Sequence, residues 1–204
     1  MHYESYPLLL KFAATILLAV VTWLDLRDKH VTNWLMLPPL LAAAALWPAL
    51  RGEWIVPAFL LLLLLVIDSA PAPARLALLL GGTAMASNLV DSPEGSLVVI
   101  AWALFYGLWD SNIIAGADAK AAMALIGFWP ETEMLMLIAI SHFLVGMYVV
   151  ILRHGRNAPR RLYETFMRAS TGALPTRDEL VETGDPMLVA YSVAGLVYVW
   201  GFWR

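Results

Sequence analysis

The chain has 204 residues, 61% of them hydrophobic and only 14% charged, with a formal net charge of −3. A soluble domain carries about 25% charged residues, so composition excludes a freely soluble fold and gives no reason to expect a nucleic-acid partner. The absence of cysteine excludes disulfides, thiol catalysis and cysteine-bound zinc, and His2, His30, His142 and His154 have no metal-ligand spacing.

In chain order, the first apolar run covers about 6–24. It has neither a basic start nor a small-residue cleavage site, and it ends in charged "DLRDK", so it reads as a retained span rather than a signal peptide. A second run extends from Asn33 to Leu50, a third from Trp54 to Ile67, a fourth from Leu76 to Val90 and a fifth from Ser96 to Trp109. The sixth covers about 115–129, the seventh is "EMLMLIAISHFLVGMYVVIL", and the eighth runs from Pro186 to Trp203. About 20 apolar residues cross a bilayer; the third, fourth and sixth runs are shorter, as tilted or partly re-entrant segments are. The longest polar stretch, 153–185, reads as a cytoplasmic loop within one integral membrane domain spanning 1–204.

Eight spans sort the charges between two sides. One side receives Arg27, Lys29, Arg75, Lys120, Arg153, Arg156, Arg160, Arg161, Arg168 and Arg177. The other receives Lys11, Arg51 and Arg204 together with Glu53, Asp91, Glu94, Glu131 and Glu133. Positive charge beside spans stays cytoplasmic, so the expected fold is an all-α, polytopic transmembrane bundle of about eight spans with both termini outside. The chain is expected in the cell (plasma or inner) membrane, as a multi-pass protein surrounded by lipid.

Two acids stand out in this frame. Asp25 closes the first span and Asp118 opens the sixth. Four spans intervene, an even number, so both belong to the cytoplasmic side. An acid at a helix end in lipid is costly unless it faces the bundle interior, water or a partner. Two facing carboxylates cannot both ionise easily and share a proton. Such a pair can deprotonate a water with one member and protonate a leaving group with the other. That chemistry needs no metal and no cofactor. Parity makes a meeting of Asp25 and Asp118 possible without requiring it.

The segment "LDLRDKHVTNWL" resembles the first signature of type IV prepilin peptidases and the related archaeal preflagellin peptidases, D-x-R followed by I-P-N-W-L. "AGADAK" resembles their second signature, G-x-G-D-x-K, in its relaxed archaeal form. "GDPMLVAYSVAGL" is similar, more weakly, to the proline-started last helix of that family. The resemblance implies a GxGD-type membrane aspartic peptidase with Asp25 and Asp118 as its catalytic pair. It also implies Arg27, Asn33, Gly116 and Lys120 as supporting or substrate-binding residues. The departures are Thr32 for the usual proline, Ala115 and Ala117 for glycines, and four spans between the signatures, two more than the resemblance implies, an even excess that keeps both acids on one side. Glycine permits close approach and free bending; the two alanines predict a regular helix start. The zinc-binding loop and methyltransferase segment of larger relatives have no counterpart, which implies the minimal, peptidase-only kind.

Each residue also has a simpler role. Asp25 can be a solvated interfacial acid beside Arg27 and Lys29, and Asp118 an acid favoured by a helix dipole. Positive-inside anchoring accounts for Arg27 and Lys120 as cheaply as a role at the site, and Asn33 can cap the second span. Asp28 reads as loop charge, Asp110 as a helix cap or else a support for the site, and Asp68 as a loop-edge acid rather than a third catalyst. His142 with Ser141, and Asn88 with Ser87, read as helix–helix hydrogen-bonding groups. Trp23, Trp34, Trp54, Trp109, Trp129 and Trp203 suit an aromatic belt. "PRRLYETFMRAS" can lie on the membrane as an amphipathic helix with Leu162, Phe166 and Met167 at its apolar edge. The basic stretch 153–177 around it suits anionic headgroups, a partner or ordinary positive-inside bias.

The leading expectation is an endopeptidase that removes short basic leaders from pilin-like or archaellin-like precursors at the cytoplasmic face. The alternatives are a proton-coupled transporter or channel using the acids as a relay, and a catalytically silent assembly scaffold of the same family.

Overall fold

A computed structural model describes residues 8–28, 33–111, 113–171 and 188–201. Every regular element among the described residues is helical, so the all-α expectation is met. Helix α1 covers Leu8–Asp28, α2 Asn33–Arg51 and α3 Ile55–Leu61, which runs straight into a π-helical turn, Leu62–Ile67. Next come α4 (Ala72–Leu89), α5 (Pro93–Asp110), α6 (Gly116–Phe128) and α7 (Thr132–His154). A short 3-10 turn, Gly155–Asn157, leads to α8 (Ala158–Ser170), and α9 covers Leu188–Val199. Seven helices and α9 fall on the eight apolar runs; α8 lies in the polar stretch.

By length and composition, one helix among the described residues suffices to cross a membrane, the continuous stretch Thr132–Arg160 that begins as α7. Leu35–Arg51, Ile55–Ile67 and Leu188–Val199 are shorter apolar helices. The expectations for Thr32, Pro186 and Trp203, and for the side chains of Asp28, Asn33, Trp34, Leu162 and Phe166, fall outside the described residues.

The chain divides into two compact units: Thr32–Leu135, and Met1–Val31 with Met136–Arg204. In the first, α2 lies along α6, and α5 packs on both α4 and α6. Small side chains make the α2–α6 approach possible: Ala43, Ala44, Ala121, Ala122 and Ala124 are all buried. At Gly127 an added Cβ would stand 2.9 Å from the Ala43 Cβ and 3.1 Å from the Trp102 ring. Close backbone approach over small residues is the usual way helices associate without a hydrophobic driving force. Trp47 Nε1 donates to the Gly127 carbonyl at 3.0 Å, satisfying one of the carbonyls left over at the end of α6. Trp102 Nε1 donates to the Met123 carbonyl at 2.7 Å. Both indoles are buried polar anchors, and Trp129 is buried as well, whereas Trp23 and Trp54 are exposed. The aromatic-belt expectation therefore fails at Trp129, which fills a core.

Ion pairs mark the two ends of this unit. Arg51, closing α2, reaches Glu94 in the first turn of α5 at 3.5 Å. Arg75, in the first turn of α4, pairs with Asp110 at the last residue of α5. The α2–α3 and α4–α5 connections therefore share one end, and the α3–α4 and α5–α6 connections share the other.

In the second unit α9 runs antiparallel to α1. Ser192 Oγ donates to the Leu18 carbonyl at 3.2 Å, and Trp200 Nε1 donates to Thr15 Oγ1 at 3.0 Å. The Trp200 ring meets Phe12 edge-on at 5.6 Å. His142 on α7 shares a 2.9 Å hydrogen bond with the Tyr191 hydroxyl of α9, the helix–helix role expected of it. Asn88 and Ser87 differ. Asn88 Nδ2 donates to Ala84 O and Ser87 Oγ to Thr83 O, one turn back on their own helix. It is Ser96 of α5 that reaches across, to the Ser87 carbonyl.

Candidate functional site

Two carboxylates are buried among the described residues, Asp25 and Asp118, each 6% exposed. They are the acids of the two signature segments. Each sits in a different unit, and each occupies a helix terminus for its own local reason.

Asp25 lies on the last turn of α1, past the apolar run, where α9 begins alongside. Its Oδ2 accepts the backbone N–H of Leu188, the first residue of α9, at 3.1 Å. The first N–H groups of a helix have no partner within it, and an anion there gains from the helix dipole, typically about 0.3–1 kcal/mol. Asp25 is thus neither solvated nor an ornament of the charged loop. It ties the start of α9 to the end of α1, and one of its oxygens is fixed in direction.

Asp118 stands in the first turn of α6. The residue before the helix, Ala115, has extended backbone (φ −71°, ψ 154°) and no side-chain cap. Gly116 opens the helix without a left-handed conformation, and Ala117 and Ala119 are buried on either side of Asp118. The alanines therefore give the regular helix start they predict.

Lys120, one helical position beyond Ala119, holds its Nζ 5.1 Å from the centre of the Trp109 ring, a cation–π contact. Trp109 in turn meets Tyr106 edge-on at 5.3 Å. The Tyr106 hydroxyl donates to Asp68 Oδ1 at 3.4 Å, and Arg75 holds Asp110. Asp68, Arg75, Tyr106, Asp110, Trp109 and Lys120 thus form one polar and aromatic group at the end of the first unit from which α6 departs. Asp110 is not a helix cap, as its sequence context suggested. It closes α5, where the dipole disfavours an acid, and Arg75 compensates. Asp68 remains an exposed loop-edge acid, with Tyr106 added as a donor.

Arg27 packs its guanidinium 5.0 Å over the Trp23 ring, and Asn33 is the first residue of α2. Neither observation favours a supporting role over an anchoring one. Among the described residues no group of three or more His, Asp or Glu is arranged to hold a metal ion.

No family model, curated protein or solved structure matches the chain. The site must be judged on its own chemistry. Sequence reasoning found both buried acids, because burial and signature coincide. It missed Leu188 as the partner of Asp25 and Tyr106 as that of Asp68. An isolated tyrosine in an apolar run carries no signal of what it will touch.

Proposed function

We propose that the chain is a multi-pass membrane aspartic endopeptidase of the prepilin and preflagellin peptidase type, with Asp25 and Asp118 as its acids. One observation carries the reading: the two carboxylates taken from two separate signature segments are the two that the described fold buries. Burial of a carboxylate costs several kcal/mol unless partners offset it or it takes up a proton, so two such coincidences are not expected of loop charge.

The membrane reading is supported by the outward surfaces. Phe12, Ile16, Val20 and Trp23 follow one face of α1, and Leu76, Leu80, Met85 and Leu89 line α4; all are exposed. Only 11% of the apolar window of the α7 stretch is buried. Apolar patches this large on a soluble protein would drive association; in lipid they are the expected surface. The sharing of connections between two ends of the first unit suits helices that alternate across a bilayer. Together with the charge sorting, this supports about eight spans with both termini outside.

In the proposed reaction one carboxylate removes a proton from water as its oxygen attacks the peptide carbonyl. The other carboxyl gives its proton to the amide nitrogen as the C–N bond breaks. By the resemblance, the substrate is a pilin-like or archaellin-like precursor with a short basic leader, cut on the cytoplasmic side. The test is to co-express such a precursor with the chain and follow its gel mobility. Conversion to the mature form is expected with the wild type and not with Asp118→Asn; conversion by Asp118→Asn at the wild-type rate contradicts the proposal.

One observation favours the silent-scaffold alternative. The hydrogen bond from Leu188 gives Asp25 a structural task that would keep an oxygen acceptor there without catalysis. Filament assembly that survives both aspartate replacements but not deletion of the chain would decide for it.

A further inference from the structure

The helix α8 is not used by the proposed chemistry, yet its composition is segregated. Over 153–171 the sequence has five arginines against one glutamate, in a chain whose net charge is −3. Gly155, at φ +51°, opens the 3-10 segment between α7 and α8. This left-handed backbone is a conformation side-chain-bearing residues rarely adopt. In α8 the helical period gathers positions 160, 161, 164 and 168 on one side and 158, 162, 163, 166 and 167 on the other. The first set is three arginines and a glutamate; the second is wholly apolar or aromatic. Tyr163 is 64% exposed, and among the described residues α8 packs chiefly on the 3-10 turn that precedes it.

We propose that α8 is an interfacial helix that binds an anionic phospholipid surface, the leaflet of the membrane that α7 crosses. This rests on the proposed membrane reading and extends it. Tyr163, exposed on the apolar side, needs an apolar occupant, and the exposed α7 that leads into it needs the same. The arginine side needs phosphate, which guanidinium groups bind bidentately. A lipid surface offers both in one place, at the depth where an amphipathic helix lies flat. A nucleic acid would satisfy the arginines and leave the apolar side in water. Arg160 and Glu164 pair at 2.9 Å on the polar side, so the lone acid is engaged by a neighbour and the remaining charge is positive.

The cysteine-free sequence allows single nitroxide labels in the full chain, reconstituted in vesicles of phosphatidylcholine with or without phosphatidylglycerol. Labels go on Tyr163→Cys, Glu164→Cys and, as a control in α7, Leu144→Cys. Accessibility to oxygen and to a water-soluble nickel chelate reports depth. The proposal expects the 144 label in lipid in both vesicles, and the 163 label in lipid when phosphatidylglycerol is present. The 164 label stays in water. Each of Arg160→Gln and Arg168→Gln lowers the ratio of seated to unseated label about fivefold. A 144 label in water overturns the membrane reading itself. A 144 label in lipid with a 163 label in water, or immobilised by protein, in both vesicles overturns the α8 proposal alone. A 163 label seated equally in both vesicles, whatever the arginines, overturns headgroup binding.

Discussion

The backbone N–H of Leu188 donates to Asp25 Oδ2 at 3.1 Å, joining residues 163 apart in the chain. This contact separates two roles for one carboxylate. Asparagine retains an oxygen acceptor but cannot exchange a proton at catalytic pH; alanine does neither. Asp25→Ala leaves a buried N–H without its partner, at a cost of about 1–3 kcal/mol. It should therefore lower the unfolding midpoint of the protein in lipid or detergent, while Asp25→Asn stays near the wild type. Equal loss in both variants would show that the charge, and not the hydrogen bond, holds α9.

Two glycines give opposite expectations. At Gly127 an added methyl meets Ala43 Cβ at 2.9 Å, an atom that cannot swing aside. Gly127→Ala should destabilise by about 1–3 kcal/mol through overpacking. At Gly81, inside α4, an added Cβ meets nothing within 4 Å. There, Gly81→Ala should stabilise by about 0.5–1 kcal/mol, because glycine is a poor residue for a helix interior. Denaturation of both variants under identical conditions checks the pair, and a stabilising Gly127→Ala would refute the close α2–α6 approach.

The Arg75–Asp110 pair is partly open to solvent, with side chains 29% and 32% exposed. Such a pair contributes little, about 0–1 kcal/mol. Arg75→Ala should then change stability by less than about 1 kcal/mol, and exchange of the two residues, Arg75→Asp with Asp110→Arg, should recover part of it. A double-mutant cycle measures the coupling directly. A coupling above about 2 kcal/mol would mean that the pair is desolvated far more than its exposure implies.

His142 and Tyr191 share a hydrogen bond between α7 and α9. A hydrogen bond of this kind contributes about 0.5–1.5 kcal/mol. Tyr191→Phe should cost within that range and leave precursor processing intact. If the phenylalanine variant instead abolishes a pH-driven flux in proteoliposomes, the relay reading returns in place of the peptidase.

Much of the helical order is legible in the sequence because apolar runs end at charge, proline or glycine. Pro71 and Pro73 bracket the start of α4, and Ser92 with Pro93 begin α5, where Ser92 Oγ accepts the Gly95 N–H at 3.0 Å. The π turn at Leu62–Ile67 is not legible: a run of leucines offers every face equally, so no period distinguishes one winding from another. Both buried acids were found through their signature context. The neighbours that fix them were not, because Leu188 reaches Asp25 through its backbone, and a backbone N–H leaves no trace in residue identity. Asp110 shows the converse error, since an acid beside serine and asparagine looks like a cap when local order alone is read. Its actual partner, Arg75, comes from another helix.

The proposal turns on Asp25 and Asp118 acting as proton-exchanging acids, and the asparagine variants test this with least disturbance to the fold. Purified wild type, Asp25→Asn and Asp118→Asn are to be incubated in lipid with one leader-bearing precursor, and the initial cleavage rates compared once each variant is shown to melt like the wild type. Cleavage is expected from the wild type, with a loss of at least about a thousandfold in each variant. A folded Asp25→Asn protein that cleaves at the wild-type rate would reduce that acid to a fastening for α9 and contradict the claim.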